Sequence, residues 1–184
     1  MGAILENEAG LPPQALLRRW QEVLRDPLMR EAPYRVELNR WGTIEMTPVR
    51  PFHSRVAKRL ADALEQALGG EAYTELAIAL VSGLRVPDVA WCSDEFLKQH
   101  AAEFAPGSLA LSLPPELCVE VMSESNSFGE LKEKADAYLA AGAQEAWIVL
   151  PDLTIRVFDS EGEKPRSRFA FDTAAWTRES RARR

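Results

Sequence analysis

At positions 117–122 the sequence reads Leu-Cys-Val-Glu-Val-Met, an apolar run with one carboxylate in its middle. Alternation with a period of two predicts a β-strand in which Glu120 lies on the opposite face from Val119 and Val121. A buried carboxylate without a partner costs several kcal/mol, or its pKa rises until it takes up a proton. We therefore expect a cation or a hydrogen-bond donor close to Glu120.

A second acidic residue, Asp88, lies in the apolar stretch 84–91, directly after Pro87. The stretch predicts a strand, but proline has no N–H for a ladder hydrogen bond, which indicates an edge or an irregular crossing at this point. A bulge there would direct the Asp88 side chain into a cleft.

Asp88 and Glu120 would repel each other if they converged within about 4–6 Å, unless one took a proton or a divalent ion held both ionised. Two carboxylates supply oxygen ligands, which favour Mg²⁺ or Mn²⁺. In the alternative interpretation the two acids are unrelated: one pairs with Arg85 or a backbone N–H, and the other caps a loop. The residues alone leave both interpretations open.

Four blocks of the sequence, in order and spacing, resemble the bacterial Uma family; they are residues 87–91, 115–127, 133–143 and 147–149. Residues 37–48, followed by His53, are similar to the hairpin and helix that open the family's domain. The resemblance runs from about residue 34 to 158. It implies an α/β restriction-endonuclease-like sandwich, with a central mixed β-sheet flanked by helices and a PD-(D/E)xK active site.

The lysine of this active site is displaced in the sequence. The motif of the parent endonucleases places it two residues after the second acid, where this chain has Met122. The resemblance implies that Lys134, on a helix predicted over residues 127–141, takes its place. Lys132 and Lys134 lie just outside opposite edges of that helix's apolar stripe, so geometry alone chooses neither. Without the resemblance, Lys134 could equally form an exposed pair with Glu130.

These residues predict a metal-dependent nuclease that hydrolyses phosphodiester bonds, with DNA as the favoured substrate. Asp88 and Glu120 would hold Mg²⁺ or Mn²⁺, and Lys134 would orient the attacking water and offset charge on the phosphate. The endonuclease-like fold also suggests Glu37 as an extra acidic metal ligand. The competing hypothesis is a catalytically weak or inactive module of the same fold that acts as an oligomeric or nucleic-acid-binding protein.

The net charge of −6 conflicts with strong nucleic-acid binding, which usually requires a basic patch. We therefore expect a homo-oligomer, with a dimer favoured, whose assembly completes a basic groove. Local basic clusters do occur around the helix predicted at 51–68 and near the C-terminus. The C-terminal cluster, at about 177–184, is typical of a disordered, solvated tail.

The chain has 184 residues, 46% of them hydrophobic, which is enough for one well-buried core. We expect a single domain over residues 1–184, with an N-terminal helix at about 12–25 and a core at about 34–158. No apolar run approaches the roughly 20 residues that span a bilayer, and residues 1–10 lack a signal-peptide pattern, so we expect a cytoplasmic protein without membrane contact. Cys92 and Cys118 are interpreted as reduced core thiols.

Three tryptophans, Trp41, Trp91 and Trp147, follow or lie within strand patterns. They could stack on nucleic-acid bases, but tryptophan is highly buried on average, and we predict that all three pack in the core. His53 is predicted to be a local hydrogen-bond donor at the start of its helix. The other predicted elements are strands at 34–38, 43–47, 73–81, 84–91, 146–150 and 154–158 and a helix at 93–104.

Overall fold

The computed structural model describes residues 10–30, 33–124 and 126–183. Its elements are, in chain order, α1 (Pro13–Arg25), α2 (Pro27–Arg30), β1 (Tyr34–Asn39), β2 (Ile44–Pro48), α3 (Pro51–Leu68), β3 (Glu71–Tyr73), β4 (Ile78–Leu80), β5 (Gly83–Arg85), β6 (Val89–Cys92), α4 (Asp94–Gln99), a 3₁₀ turn (Ala101–Phe104), β7 (Leu117–Val121), α5 (Phe128–Ala140), β8 (Glu145–Val149), β9 (Ile155–Asp159), β10 (Gly162–Lys164) and α6 (Thr173–Ala182).

The strands form two sheets. The smaller has the order β2-β1-β5-β4 and the larger has the order β10-β9-β8-β7-β6-β3. In the larger sheet β7 and β8 run parallel, and α5 makes the crossover that a parallel pair requires, while the neighbouring pairs are antiparallel. The architecture is the predicted α/β class, a mixed sheet flanked by helices, with a second, antiparallel sheet beside it.

The chain passes from the smaller sheet to the larger at Val86-Pro87-Asp88, between the end of β5 and the start of β6. Pro87 therefore lies outside both strands, where no ladder hydrogen bond is required of it, and the predicted irregular crossing is confirmed. The strands predicted at 73–81 and 84–91 are each divided between the two sheets. Because Val89 pairs with Val119, continuing the same register by one residue brings Asp88 opposite Glu120.

The two faces of β7 meet different helices, as its alternation predicts. The core on the first face joins Leu117, Val119 and Val121 to apolar residues of α3. On the opposite face Cys118 packs with Tyr138 of α5. Glu120 lies on the same face of β7 as Cys118, so the fold directs a carboxylate toward α5.

Both long helices end where their sequences provide signals. α3 starts with Pro51, whose missing N–H would have no partner in a first turn, and stops at Gly69, whose φ of +69° suits glycine. In α5 the Ser127 side chain accepts from the Glu130 N–H, and the Glu130 carboxylate accepts from the Ser127 N–H. Glu130 is thus engaged in a capping box.

The C-terminal segment is folded, so the predicted solvated tail is wrong for the residues that the structure describes there. In α6 Trp176 is only 8% exposed and joins the core that contains α3. Asp172 caps the helix by accepting from the Ala175 N–H, and Arg181 pairs with Asp152 at 2.7 Å. The prediction rested on the arginines and did not include Trp176, which packs the helix that carries them against the core. Arg184 lies outside the described residues.

Two of the three tryptophans are buried, Trp91 at 5% and Trp147 at 0% exposure. Trp41 is 55% exposed, so the core prediction is wrong for it; it lies in the β1–β2 turn beyond the packed strands. Cys92 and Cys118 are buried free thiols, as predicted. None of the helices in the described part of the chain is long and apolar enough to cross a membrane.

Candidate active site

Glu120 is buried on β7, and its two carboxylate oxygens meet two residues of α5. The Tyr138 hydroxyl donates to Oε1 at 2.7 Å, and the Lys134 ammonium lies 3.7 Å from Oε2. Burial raises the pKa of the Glu120 carboxyl, and the charge of Lys134 opposes that rise. The predicted cation and donor beside Glu120 are therefore both present.

Lys134 also contacts Glu37 of β1, with its Nζ 2.9 Å from Oε1 and 2.8 Å from Oε2. Burial would lower the pKa of Lys134, but the charges of Glu120 and Glu37 outweigh it and hold that pKa above its ordinary value. Lys134 is therefore charged at neutral pH. Lys132 binds Asp136 at 2.5 Å instead. The structure thus brings Lys134, and not Lys132, to the acidic residues, while the catalytic role of Lys134 stays a prediction.

Glu37 is held in place by donors from β5 and the segment after it. The Val86 N–H donates to Oε1 at 2.8 Å, and Arg85 lies 3.3 Å from Oε2 while also binding Glu45 at 2.6 Å. With Lys134 added, both Glu37 oxygens contact a positive charge. Glu37 therefore fixes the position of the Lys134 ammonium, and its expected role as a metal ligand stays a prediction.

Asp88 is 1% exposed and is hydrogen-bonded to β7, the strand that carries Glu120. Its Oδ2 accepts from the Val121 N–H at 2.6 Å. The guanidinium of Arg35 contacts Oδ1, yet that oxygen accepts no hydrogen bond of good geometry from the described residues. Part of the alternative interpretation holds, since Asp88 does bind a backbone N–H. That N–H follows Glu120 in the chain, however, so the two acids are related.

His53 of α3 completes the surroundings of Asp88. Its Nε2 lies 2.9 Å from Asp88 Oδ2 and 2.8 Å from the Val121 carbonyl oxygen. Burial and the positive charge of Arg35 lower the pKa of His53 to about 4, so the ring is neutral at pH 7. Because both neighbours of Nε2 are acceptors, Nε2 carries the proton and donates it. His53 is a donor, as predicted, but the prediction of a local partner is wrong, because the Val121 carbonyl oxygen and Asp88 are remote in sequence.

These side chains line one large cavity, which we call the central cleft, with a volume of about 1190 Å³. Asp88, Glu120, Lys134 and Glu37 all line it. Pockets for small molecules usually measure about 300–1,000 Å³, so the volume of the central cleft lies above that range.

The donor set of the central cleft fits a hard divalent cation. Asp88 and Glu120 supply carboxylate oxygens, the ligands that Mg²⁺ prefers, but Asp88 Oδ1 is already in contact with the Arg35 guanidinium. Among the described residues no group of three or more His, Cys, Asp and Glu side chains is gathered closely enough to hold an ion. A cation at Asp88 Oδ1 would therefore have to displace the Arg35 guanidinium.

Two polar neighbours of the acids, Arg35 and Tyr138, were not predicted from the sequence. Signals for both exist. Arg35 precedes Glu37 by two residues on one strand, which places both on one face, and Tyr138 follows Lys134 by four on one helix, which places both on one side. The partner acids, Asp88 and Glu120, lie on other segments of the chain, so the pairing itself required the tertiary structure.

Comparisons with known proteins identify the family and the fold. A family model named Uma2, described as "Putative restriction endonuclease", matches residues 20–179. A solved structure from Anabaena variabilis, titled as a "putative nuclease belonging to DUF820", aligns with 86% of this chain and 98% of its own at a TM-score of 0.67. Its sequence identity is 17%, so this likeness shows the fold, and it confirms the predicted endonuclease-like architecture. No curated protein matches the chain.

Proposed function

From the premise that the chain belongs to the Uma2 family, we propose that it is a metal-dependent nuclease that hydrolyses phosphodiester bonds in DNA. One observation carries the proposal: Asp88 and Glu120 are buried in the wall of a large open cleft, with the charged Lys134 between the second acid and Glu37. Burying several ionisable groups together costs stability, so such clusters are favoured candidates for active sites.

In this proposal Asp88 and Glu120 hold Mg²⁺ or Mn²⁺, which would lower the pKa of the attacking water and stabilise negative charge on the phosphate. Tyr138 keeps the Glu120 carboxylate oriented through Oε1 and leaves Oε2 facing Lys134. The Val121 N–H does the same for Asp88 through Oδ2. Lys134, fixed by Glu37, would orient the water and offset charge that develops in the transition state.

A plasmid-nicking assay tests the proposal. Nicking should require Mg²⁺ or Mn²⁺ and stop with Asp88→Asn. Lys134→Ala should slow it by about 10²–10³-fold, the usual cost of removing one charge-stabilising group from a reacting centre. Lys132→Ala is the matched control, because Lys132 lies on the same helix but pairs with Asp136. Equal rates for the two lysine variants would show that Lys134 has no catalytic role.

A thermal-shift titration locates the ion. Mn²⁺ should raise the melting temperature of the parent protein, since a ligand that binds only the folded state stabilises it. Glu120→Gln should fold as well as the parent without metal, because it removes a charge whose burial is unfavourable and leaves Lys134 its closer partner, Glu37. If Mn²⁺ stabilises this variant as much as the parent, the ion binds at another place.

A second candidate function is a module of low activity that binds nucleic acid or assembles with copies of itself. The observation in its favour is that Arg35 contacts Asp88 while Lys134 contacts Glu37 and Glu120, so protein cations already face all three acids. In either case we propose a homo-oligomer, preferably a dimer, as the source of a wider basic groove. A protein that binds DNA without cleaving DNA or RNA with either ion would support this candidate.

A further inference from the structure

Trp41 is an exposed tryptophan held in a defined turn. Trp41 lies at the tip of the β1–β2 hairpin, and 55% of its surface is exposed. The Asn39 side chain accepts from the N–H groups of Trp41 and Thr43, each at 3.0 Å, and Gly42 follows with a φ of +76° that favours glycine. The turn therefore presents the indole to solvent from a fixed backbone.

A positively charged side chain lies next to the indole. The Arg40 guanidinium lies 4.6 Å from the centroid of the Trp41 ring, within the range of a cation–π contact. A flat aromatic ring beside a guanidinium offers a base one surface to stack on and offers the adjoining phosphate one charge to pair with.

The same turn lines the central cleft. Arg40, Trp41 and Arg50 belong to its wall together with Asp88, Glu120 and Lys134. Trp41 is the fourth residue after Glu37, which directly contacts Lys134, and four residue steps span at most about 14 Å even when the chain is extended. A polyanion that reaches the buried acids from this side therefore passes the exposed indole and Arg40.

We propose that Trp41 stacks on an unpaired base, so that the substrate of the central cleft is single-stranded nucleic acid or a strand with a single-stranded segment next to the cut. This inference rests on the proposed nuclease function. A base within a duplex is covered on both faces by its neighbours, whereas an unpaired base can leave the stack and lie on an aromatic ring. The Arg40 guanidinium beside Trp41 favours a phosphate-bearing occupant over an apolar protein surface.

Binding measured in EDTA tests the inference without any need for cleavage. A fluorescein-labelled oligothymidylate should bind Trp41→Ala about 5- to 150-fold more weakly than the parent, since stacking contributes about 1–3 kcal/mol per base. Trp41→Phe should retain most of the affinity, and a blunt duplex should bind all three proteins equally. Tyr34→Ala is the matched control, because Tyr34 is 43% exposed on the same hairpin but does not line the central cleft.

Three results would overturn the inference. Trp41→Ala could bind the oligothymidylate as tightly as the parent, or it could lose affinity for duplex and single strand alike. It could also change the sedimentation of the protein, which would assign the indole to a contact with a second copy. Failure of the nuclease proposal is detected separately, because nicking depends on Asp88 and the binding assay contains no divalent metal.

Discussion

Replacing Lys134 with methionine isolates the energetic role of the buried charge cluster. The substitution keeps most of the side-chain volume and removes the ammonium that lies 2.8 Å from Glu37 and 3.7 Å from Glu120. The Glu37 and Glu120 side chains are 7% and 3% exposed, so water from the central cleft replaces the lost contacts only in part. Glu37 retains Arg85 and the Val86 N–H, and the largest effect therefore falls on Glu120.

The magnitude follows from the burial of these groups. Removing one partner of a buried ion pair typically costs about 3–5 kcal/mol, and the 22% exposure of the Lys134 side chain favours the lower end of that range. For a protein of this size about 3 kcal/mol corresponds to a fall in Tm of roughly 6–12 °C. Lys132→Met should cost only about 0.3–0.5 kcal/mol, because its pair with Asp136 is a surface contact within one helix.

Urea denaturation at pH 7 with EDTA, followed by circular dichroism, measures both variants. The double variant Lys134→Met with Glu120→Gln should recover much of the loss, because the amide carries no charge to leave unpaired. The reasoning fails if Lys134→Met and Lys132→Met unfold at the same urea concentration. It also fails if Glu120→Gln gives no recovery, since the destabilisation would then come from packing and not from charge.

Two further outcomes are expected. The pKa of His53 is about 4 in the folded protein and near 6.5 when unfolded, so between these pH values the folded state binds fewer protons and its stability falls as the pH falls. In urea titrations without metal, the parent protein should therefore lose about 3 kcal/mol more stability than His53→Gln between pH 7 and pH 4. Trp176→Ala should cost about 3–5 kcal/mol in the same assay at pH 7, whereas a cost near zero would mean that α6 is not docked in solution.

The sequence predicts best the parts of this fold whose signals are local. The alternation around Glu120 and the capping signals of α3 and α5 lie within single elements, and those elements occur where they are expected. Asp88 lies where the chain crosses between the two sheets, and Arg35 lies on β1. No spacing in the sequence encodes that these two residues are in contact. Tertiary pairing of this kind explains why the acids were foreseen and most of their partners were not.

The errors at Trp41 and at the C-terminus have one cause. Average burial of a residue type was applied without knowing where the sheet ended, so a tryptophan in a turn was assigned to the core. Conversely, the arginines near 178–183 suggested solvent, although Trp176 and the cap at Asp172 favour a docked helix. In both segments the decisive fact was the position of the segment relative to the packed layers.

Glu37 and Lys134 belong to different layers of the protein. Glu37 lies on β1 in the smaller sheet, while Lys134 lies on α5, which packs against the larger one. Their contact therefore spans the boundary between the two sheets, and Asp88 and Arg35 span the same boundary at the chain crossing. Both ion pairs therefore tie the smaller sheet to elements of the larger one, and the charged groups that line the central cleft are also the groups that hold its walls together.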